Sequence, residues 1–136
     1  MPIKWEPSTM ATGIPTVDAQ HRQLIDWLND LLAAMSQGQG RNEVSSVLDK
    51  LDKYVETHFA HEEDCMVKYH CSVAAANIAA HAYFVNAFAE MRAEYEAKGA
   101  SSDLVMRVET ELAQWFANHI RGVDAQLGPC VRSAAA

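Results

Sequence analysis

The chain has 136 residues, of which 49% are hydrophobic and 21% are charged, and its formal net charge is −7. This length suits one domain with a hydrophobic core and is too short for two ordinary domains, while the composition excludes an intrinsically disordered chain. The acidic balance offers no basic surface for phosphate groups, so neither nucleic acid nor an anionic membrane is an expected partner.

The amino terminus and the cysteines indicate the cellular compartment in which we expect the protein. Residues 1–16 contain no apolar run of the kind found in secretory leaders, and no apolar stretch of the chain is long enough to cross a membrane. The three cysteines, Cys65, Cys71 and Cys130, form neither a Cys-x-x-Cys pair nor an even disulfide set. We therefore expect free thiols in a reducing compartment and a cytoplasmic location.

The chain begins with an arm and a first helix. Residues 1–17 contain three prolines and a glycine, which predicts an extended arm whose contacts with the core are Trp5 and Ile14. From Asp18, a candidate N-cap, apolar residues recur every three to four positions as far as the stop signal at Gly38-Gln39-Gly40.

Three more apolar ladders of helical period follow, at about residues 44–69, 73–98 and 101–127, and no strand-like alternation competes with them. Four amphipathic helices with short connections predict an all-α, up-down-up-down four-helix bundle. We expect a single domain over residues 1–136, with an arm at 1–17, the bundle at 18–127 and a tail at 128–136. The last four residues are typical of a disordered or truncated end.

Polar side chains interrupt the apolar faces at helical spacing: His21, His58, Glu62, Asn77, His81 and His119. Residues four apart on a helix differ by only about 40° in direction, so His58 and Glu62 face the core together, as do Asn77 and His81. His61 falls at the edge of the inner arc and His70 falls outside it.

These side chains predict a buried metal centre. A single histidine on an apolar face is usually a hydrogen-bonded core residue, but four of them on four helices, together with carboxylates, favour another explanation. A carboxylate buried in an apolar bundle costs several kcal/mol unless its charge is compensated, and no lysine or arginine lies on these turns. Imidazole and carboxylate ligands suit iron, with manganese or zinc as substitutes.

Asp124 is a further carboxylate near the end of the fourth helix. It follows His119 by five residues, a rotation of about 140° that would not keep both side chains on one face of a regular helix. Either the helix is widened locally, as in a π-bulge, or it ends and lets Asp124 turn back toward the core.

The combined motifs resemble those of the hemerythrins, and most closely the bacterial ones. The resemblance rests on Asp18-Ala19-Gln20-His21, on the segment from His58 to Glu63, and on the segment from Trp115 to Ile120 with Asp124, and it covers nearly the whole chain. It implies two non-haem irons with an oxo or hydroxo bridge. By that resemblance Glu62 and Asp124 bridge the irons, His21 and His58 bind one of them, and His81 and His119 bind the other.

The resemblance also implies a function, which is reversible O2 binding for carriage, storage or sensing by a monomer. Phe116 and Ile120 are candidates for an apolar oxygen pocket, although ordinary core packing explains them equally well. Sensing requires a signalling domain as partner, and oxygen chemistry implies a redox partner. We do not expect an enzyme.

Asn77 departs from the family pattern, which has a third histidine on the second iron. The Asn side chain is too short to replace an imidazole Nε2, so we expect water or another small ligand in its place, hydrogen-bonded to the amide. Both irons then have two histidines and an exchangeable position, which favours faster autoxidation or peroxidase-like reactivity. Drift at a tolerated position, an introduced His→Asn substitution, or replacement by His61 or His70 are the alternatives.

Three other classes of function compete with oxygen binding. A diiron oxidase or peroxidase that uses the position opened by Asn77 is the main alternative. Iron storage is disfavoured because the Glu-x-x-His motifs of ferritin-like bundles are absent. A bundle without metal would leave Glu62 and Asp124 buried without a compensating charge.

Overall fold

The computed structural model describes residues 3–38 and 41–135, so Gln39 and Gly40 of the predicted stop signal, as well as Ala136, lie outside the described residues. A single-turn helix, α1 (Pro7–Met10), precedes three long helices, α2 (Pro15–Ser36), α3 (Arg41–Lys68) and α4 (Ala74–Lys98). The fourth long helix joins α5 (Ser102–Arg107), a π-helical segment (Val108–Gln114) and α6 (Trp115–Gly122). A 3-10 turn (Asp124–Gln126) then leads into α7 (Leu127–Ala135).

The four long helices form the predicted all-α bundle, and the described part of the chain contains no strand. Short connections make consecutive helices antiparallel. At one of these connections, Gly99 ends α4 with a φ of 76°, a conformation that glycine adopts without strain. At the next helix start, the Ser101 side chain accepts a hydrogen bond from Leu104 N at 3.1 Å and caps α5.

The amino-terminal arm is shorter and more structured than predicted. It contains the turn α1, and α2 begins at Pro15, three residues before the predicted cap, because proline suits the first position of a helix. The Asp18 carboxylate instead accepts hydrogen bonds from Thr12 N and Thr12 Oγ1, both at 2.8 Å, and from Gly13 N at 3.2 Å. Asp18 therefore fixes the arm rather than capping its own helix.

Two hydrophobic clusters make up the core. The larger runs through the bundle and includes several fully buried side chains: Leu24, Leu28, Leu51, Phe84, Leu112 and Phe116. Trp5 and Ile14 of the arm both pack against the core, as predicted. Trp5 contacts the larger cluster and Ile14 contacts a second, smaller one. The smaller cluster is centred on four buried residues, Val17, Met66, Cys71 and Leu127, and lies where α7 meets the corner between α3 and α4.

The carboxyl-terminal segment differs from the prediction in two ways. Residues 127–135 form helix α7 rather than a loose tail, with Leu127 fully buried. Cys71 and Cys130 form a disulfide with a Cα–Cα distance of 5.8 Å, so the expectation of three free thiols holds only for Cys65. Spacing could not predict this pairing, because 59 residues separate two cysteines that meet only after the bundle has folded.

None of the helices in the described part of the chain combines the length and the apolar character needed to cross a membrane.

The contact between α7 and the arm predicts a sharp difference between two glycines. A Cβ atom at Gly128 would lie 1.7 Å from the carbonyl oxygen of Thr12, whereas one at Gly122 would meet nothing within 4 Å. We expect Gly128→Ala to lower the free energy of unfolding by about 1–3 kcal/mol, because backbone must move. Gly122→Ala is the matched control and should leave it unchanged or slightly higher. Chemical denaturation measures both, and equal stabilities would contradict the close approach.

Candidate metal centre

All seven predicted positions meet in one buried cluster inside the bundle. One residue comes from α2, two from α3, two from α4, one from α6 and one from the 3-10 turn: His21, His58, Glu62, Asn77, His81, His119 and Asp124. His119, at 6%, is the most exposed of them. The structure thus brings together the seven positions that the sequence singled out, and their role as metal ligands stays a prediction.

Glu62 lies at the centre of the cluster. Its Oε2 atom is 3.0 Å from His21 Nε2 and 3.4 Å from His58 Nε2, whereas its Oε1 atom is 3.1 Å from His81 Nε2. Each oxygen of one carboxylate thus faces a different histidine group. This arrangement suits a carboxylate that bridges two cations.

Asp124 repeats the pattern from the opposite side. Its Oδ2 atom is 3.2 Å from His21 Nε2, and its Oδ1 atom is 3.2 Å from His119 Nε2. Of the two geometries left open by the sequence, the structure has the second: α6 ends at Gly122, and the 3-10 turn that follows directs Asp124 inward. The π-helical segment lies upstream, before His119.

Unpaired polar atoms test whether a metal fits this cluster. Five buried atoms make no hydrogen bond: His21 Nδ1, His58 Nε2, His81 Nε2 and both carboxylate oxygens of Asp124. Leaving such atoms unpaired is costly, and two metal ions would satisfy four of them at once. The ligand atoms form two groups that share Glu62, one with His21 and His58 and the other with His81, His119 and Asp124. The residues present therefore fit two cations, and their nitrogen and oxygen donors suit iron.

Two residues that the sequence analysis did not assign to the site orient its histidines. His58 Nδ1 donates to Gln20 Oε1 at 2.7 Å, and His81 Nδ1 donates to Glu63 Oε2 at 3.0 Å. A proton held on Nδ1 leaves the Nε2 lone pair directed into the cluster, as metal-binding histidines require. Gln20 and Glu63 directly adjoin His21 and Glu62 in the sequence motifs. This adjacency was the sequence signal that could have predicted their part in the site.

Electrostatics in the cluster favour a proton or a cation between the carboxylates. Burial lowers the pKa of His21, but Asp124 and Glu62 outweigh it and raise that pKa to about 9. Burial raises the pKa of Glu62, but the imidazoles of His21, His58 and His81 close to its carboxylate bring that pKa well below its ordinary value. Burial lowers the pKa of His58, which favours its neutral, ligating form. A metal ion would replace the proton on His21.

Asn77 is fully buried and hydrogen-bonded within the cluster. Its Nδ2 atom donates to Glu62 Oε1 and to Met66 Sδ, each at 3.1 Å, and its Oδ1 atom accepts from His119 Nε2 at 2.8 Å. The proposed replacements, His61 and His70, are both exposed, so neither occupies the position.

Aromatic rings enclose the histidines. Phe59 stacks on His81 with ring centroids 3.7 Å apart, and Trp115 stacks on His119 at 4.8 Å. Phe116 approaches His21 edge-on at 5.9 Å. Phe116 and Ile120, the residues predicted to form an oxygen pocket, are both buried. Phe59 and Trp115 also belong to this wall, although the sequence pattern did not predict them there.

The chain resembles known proteins over most of its length. Residues 12–131 match the family described as the hemerythrin HHE cation binding domain. The bacteriohemerythrin of Stenotrophomonas maltophilia (strain R551-3) is 37% identical over 82% of this chain and 71% of its own length. The bacteriohemerythrin of Methylococcus capsulatus (strain ATCC 33009 / NCIMB 11132 / Bath) is 30% identical over 95% of this chain and 96% of its own length.

Solved structures agree with the sequence relatives. A crystal structure of wild-type hemerythrin superimposes on this chain with a TM-score of 0.81 and 31% identity, covering 96% of this chain and 98% of the other. Fold, buried ligand cluster and relatives therefore lead to one conclusion: the chain belongs to the hemerythrin family.

Proposed function

We propose that this protein binds O2 reversibly at two non-haem irons joined by an oxo or hydroxo bridge. The observation that carries the proposal is the buried set of unpaired imidazole nitrogens and carboxylate oxygens, arranged as two groups around Glu62. The ferrous ions would supply the electrons that O2 takes up on binding. On this proposal the protein is an oxygen-binding protein rather than an enzyme.

Each ligand has a defined part in this proposal. His21 and His58 hold one iron and His81 and His119 hold the other, while Glu62 and Asp124 span both. The support is geometric, since the two oxygens of Glu62 face different histidine groups, as do those of Asp124. The Nδ1 hydrogen bonds of His58 and His81 keep their rings in place whether or not metal is bound.

Apolar side chains would exclude water from the bound gas. Phe116 and Ile120 are the proposed oxygen pocket, and both are buried on the helix that carries His119. The rings of Phe59 and Trp115 shield the second pair of histidines. A dry pocket retards loss of the bound oxygen as a reduced species, because that loss requires protons.

Asn77 gives the second iron an exchangeable position. Its Oδ1 atom accepts from His119 Nε2 in the metal-free protein, and it would become free to hold a water if that nitrogen bound iron instead. Both irons then have two histidines. This arrangement favours rapid autoxidation, and it is the observation that supports the alternative of a diiron oxidase or peroxidase.

The remaining partners follow from the resemblance. A monomer, a redox partner and a signalling domain in a sensory role stay proposals. A cytoplasmic location also stays a proposal, and it requires that the Cys71–Cys130 bond persists or cycles in a reducing compartment.

An anaerobic optical titration tests the function. Diferrous protein mixed with O2 should develop a visible charge-transfer band that disappears on deoxygenation, and metal analysis should give two irons per chain. Glu62→Gln should abolish the band, because the shared carboxylate charge is lost, whereas Glu56→Gln, on the exposed face of the same helix, should retain it. Irreversible bleaching would favour the oxidase or peroxidase, and one iron or none per chain would contradict the two-metal proposal.

Restoring a histidine at Asn77 tests the altered position. We expect Asn77→His to slow autoxidation by about tenfold or more, equivalent to ~1.4 kcal/mol on the barrier, because a protein ligand replaces the exchangeable one. Asn86→His on the exposed side of α4 serves as the control. Decay of the oxygenated form at equal rates in Asn77→His and the unmodified protein would refute this role.

The metal-free protein should lose stability as pH rises. The pKa of His21 is about 9 in the folded chain and 6.5 when unfolded, so the stabilisation from its protonation is complete below pH 6.5 and lost as pH rises through 9. We expect the free energy of unfolding to fall by about 3 kcal/mol over this window. Urea denaturation with metal removed measures it, and His21→Gln should flatten the profile. A flat profile in the unmodified protein would argue against the buried imidazolium.

A further inference from the structure

The disulfide between Cys71 and Cys130 joins two segments that lead directly to the metal centre. We propose that this bond is a redox-active site, opened by a dithiol reductant, and that its state controls how firmly the centre retains metal. The second part rests on the proposed function, because it concerns the same ligands. The first part concerns the fold alone.

One end of the bond leads to Asp124. The 3-10 turn that begins at Asp124 runs without interruption into α7, and Leu127, the first residue of α7, is fully buried beside Val17 and Met66. Cys130 lies three residues further along the same helix. A displacement of α7 is therefore transmitted through one helical turn to a carboxylate of the centre.

The other end of the bond leads to Asn77. Cys71 N donates a hydrogen bond to the carbonyl oxygen of Met66 at 2.8 Å. The side chain of Met66 is fully buried, and its Sδ atom accepts from Asn77 Nδ2 at 3.1 Å. The disulfide is therefore a covalent link between the segment that follows Asp124 and the segment that contacts Asn77. Neither cysteine belongs to the cluster.

Helix α7 depends on this bridge for its position. It has nine residues, and helices of that length are marginal in water without tertiary contacts. Its first turn is held by the burial of Leu127 and by the close approach of Gly128 to Thr12. Beyond that turn Pro129, Arg132 and Ser133 are exposed, so the outer half is held by half-buried Val131, which packs against the smaller cluster, and by the covalent bond at Cys130.

The geometry allows reduction in the folded protein. Cys130 is half-buried and Cys71 is 7% exposed, so a reductant thiolate reaches the Cys130 sulfur first. Its attack breaks the S–S bond and forms a mixed disulfide, and Cys71 leaves as a thiolate that takes up a proton. The second thiol of the reductant then releases Cys130 as a thiol and closes the reductant's own disulfide, which transfers two electrons and two protons in all.

Cys65 provides an internal comparison. It is a free thiol packed against the same small cluster, and burial raises its pKa, which makes it a poor nucleophile at neutral pH. It shares the surroundings of the disulfide without forming part of the bridge. Cys65→Ser is therefore a matched control for removal of the other two cysteines.

The first experiment tests the fold with no metal present. Amide hydrogen exchange is measured on the metal-free protein as the oxidised chain, after dithiothreitol, and as the Cys71→Ser/Cys130→Ser variant. We expect residues 127–135 to exchange about tenfold faster or more in the two open forms, while α2 and α4 keep their protection. Cys65→Ser should match the oxidised chain. Equal exchange in α7, or a bond that dithiothreitol opens only in denaturant, would show a purely structural disulfide and overturn the proposal.

The second experiment tests retention of metal without a dithiol, which would itself bind iron. Ferrous protein is mixed anaerobically with a chelator, and iron loss is followed for the oxidised chain, the double-serine variant and Cys65→Ser. We expect iron loss several-fold faster from the double-serine variant alone. Equal rates would overturn the coupling to the centre. If no form of the protein bound two irons, the proposed function would be refuted. The hydrogen-exchange experiment would then still test whether the disulfide is redox-active, because it uses metal-free protein.

Discussion

The Glu62 carboxylate is the constraint on which the rest of the bundle depends. It is fully buried at the centre of an apolar core, where an uncompensated negative charge costs several kcal/mol. Imidazoles from α2, α3 and α4 surround it at 3.0 to 3.4 Å, so three helices must keep their rotation and register to hold it. The same charge that requires compensation in the metal-free protein makes the site suitable for cations, so stability and function follow from one carboxylate.

Asp124 shows how the end of a helix contributes to a site. A regular helix would direct it away from His119, and termination of α6 at Gly122 turns it inward. The turn that carries Asp124 is held in place by α7, which follows it directly. Helix α7 is anchored by buried Leu127 and by its contact with the amino-terminal arm. The arm in turn is fixed by Asp18, so elements at both ends of the chain help to position the Asp124 carboxylate.

Asn77 fills its position in the cluster and keeps the neighbouring polar groups hydrogen-bonded. Its amide has both a donor and an acceptor, and it satisfies Glu62 on one side and His119 on the other. An apolar residue there would remove one hydrogen bond from each of those buried groups. An amide at this position therefore preserves the polar network of the cluster.

The sequence by itself determined the helices and the inward-facing histidines and carboxylate, because the 3.6-residue period is local and places residues such as His58 and Glu62 on a known face. Tertiary structure alone decided the Cys71–Cys130 pairing, the formation of α7 and the inward turn of Asp124. Each of these depends on contacts between segments far apart in the chain, and such contacts exist only after the helices have packed.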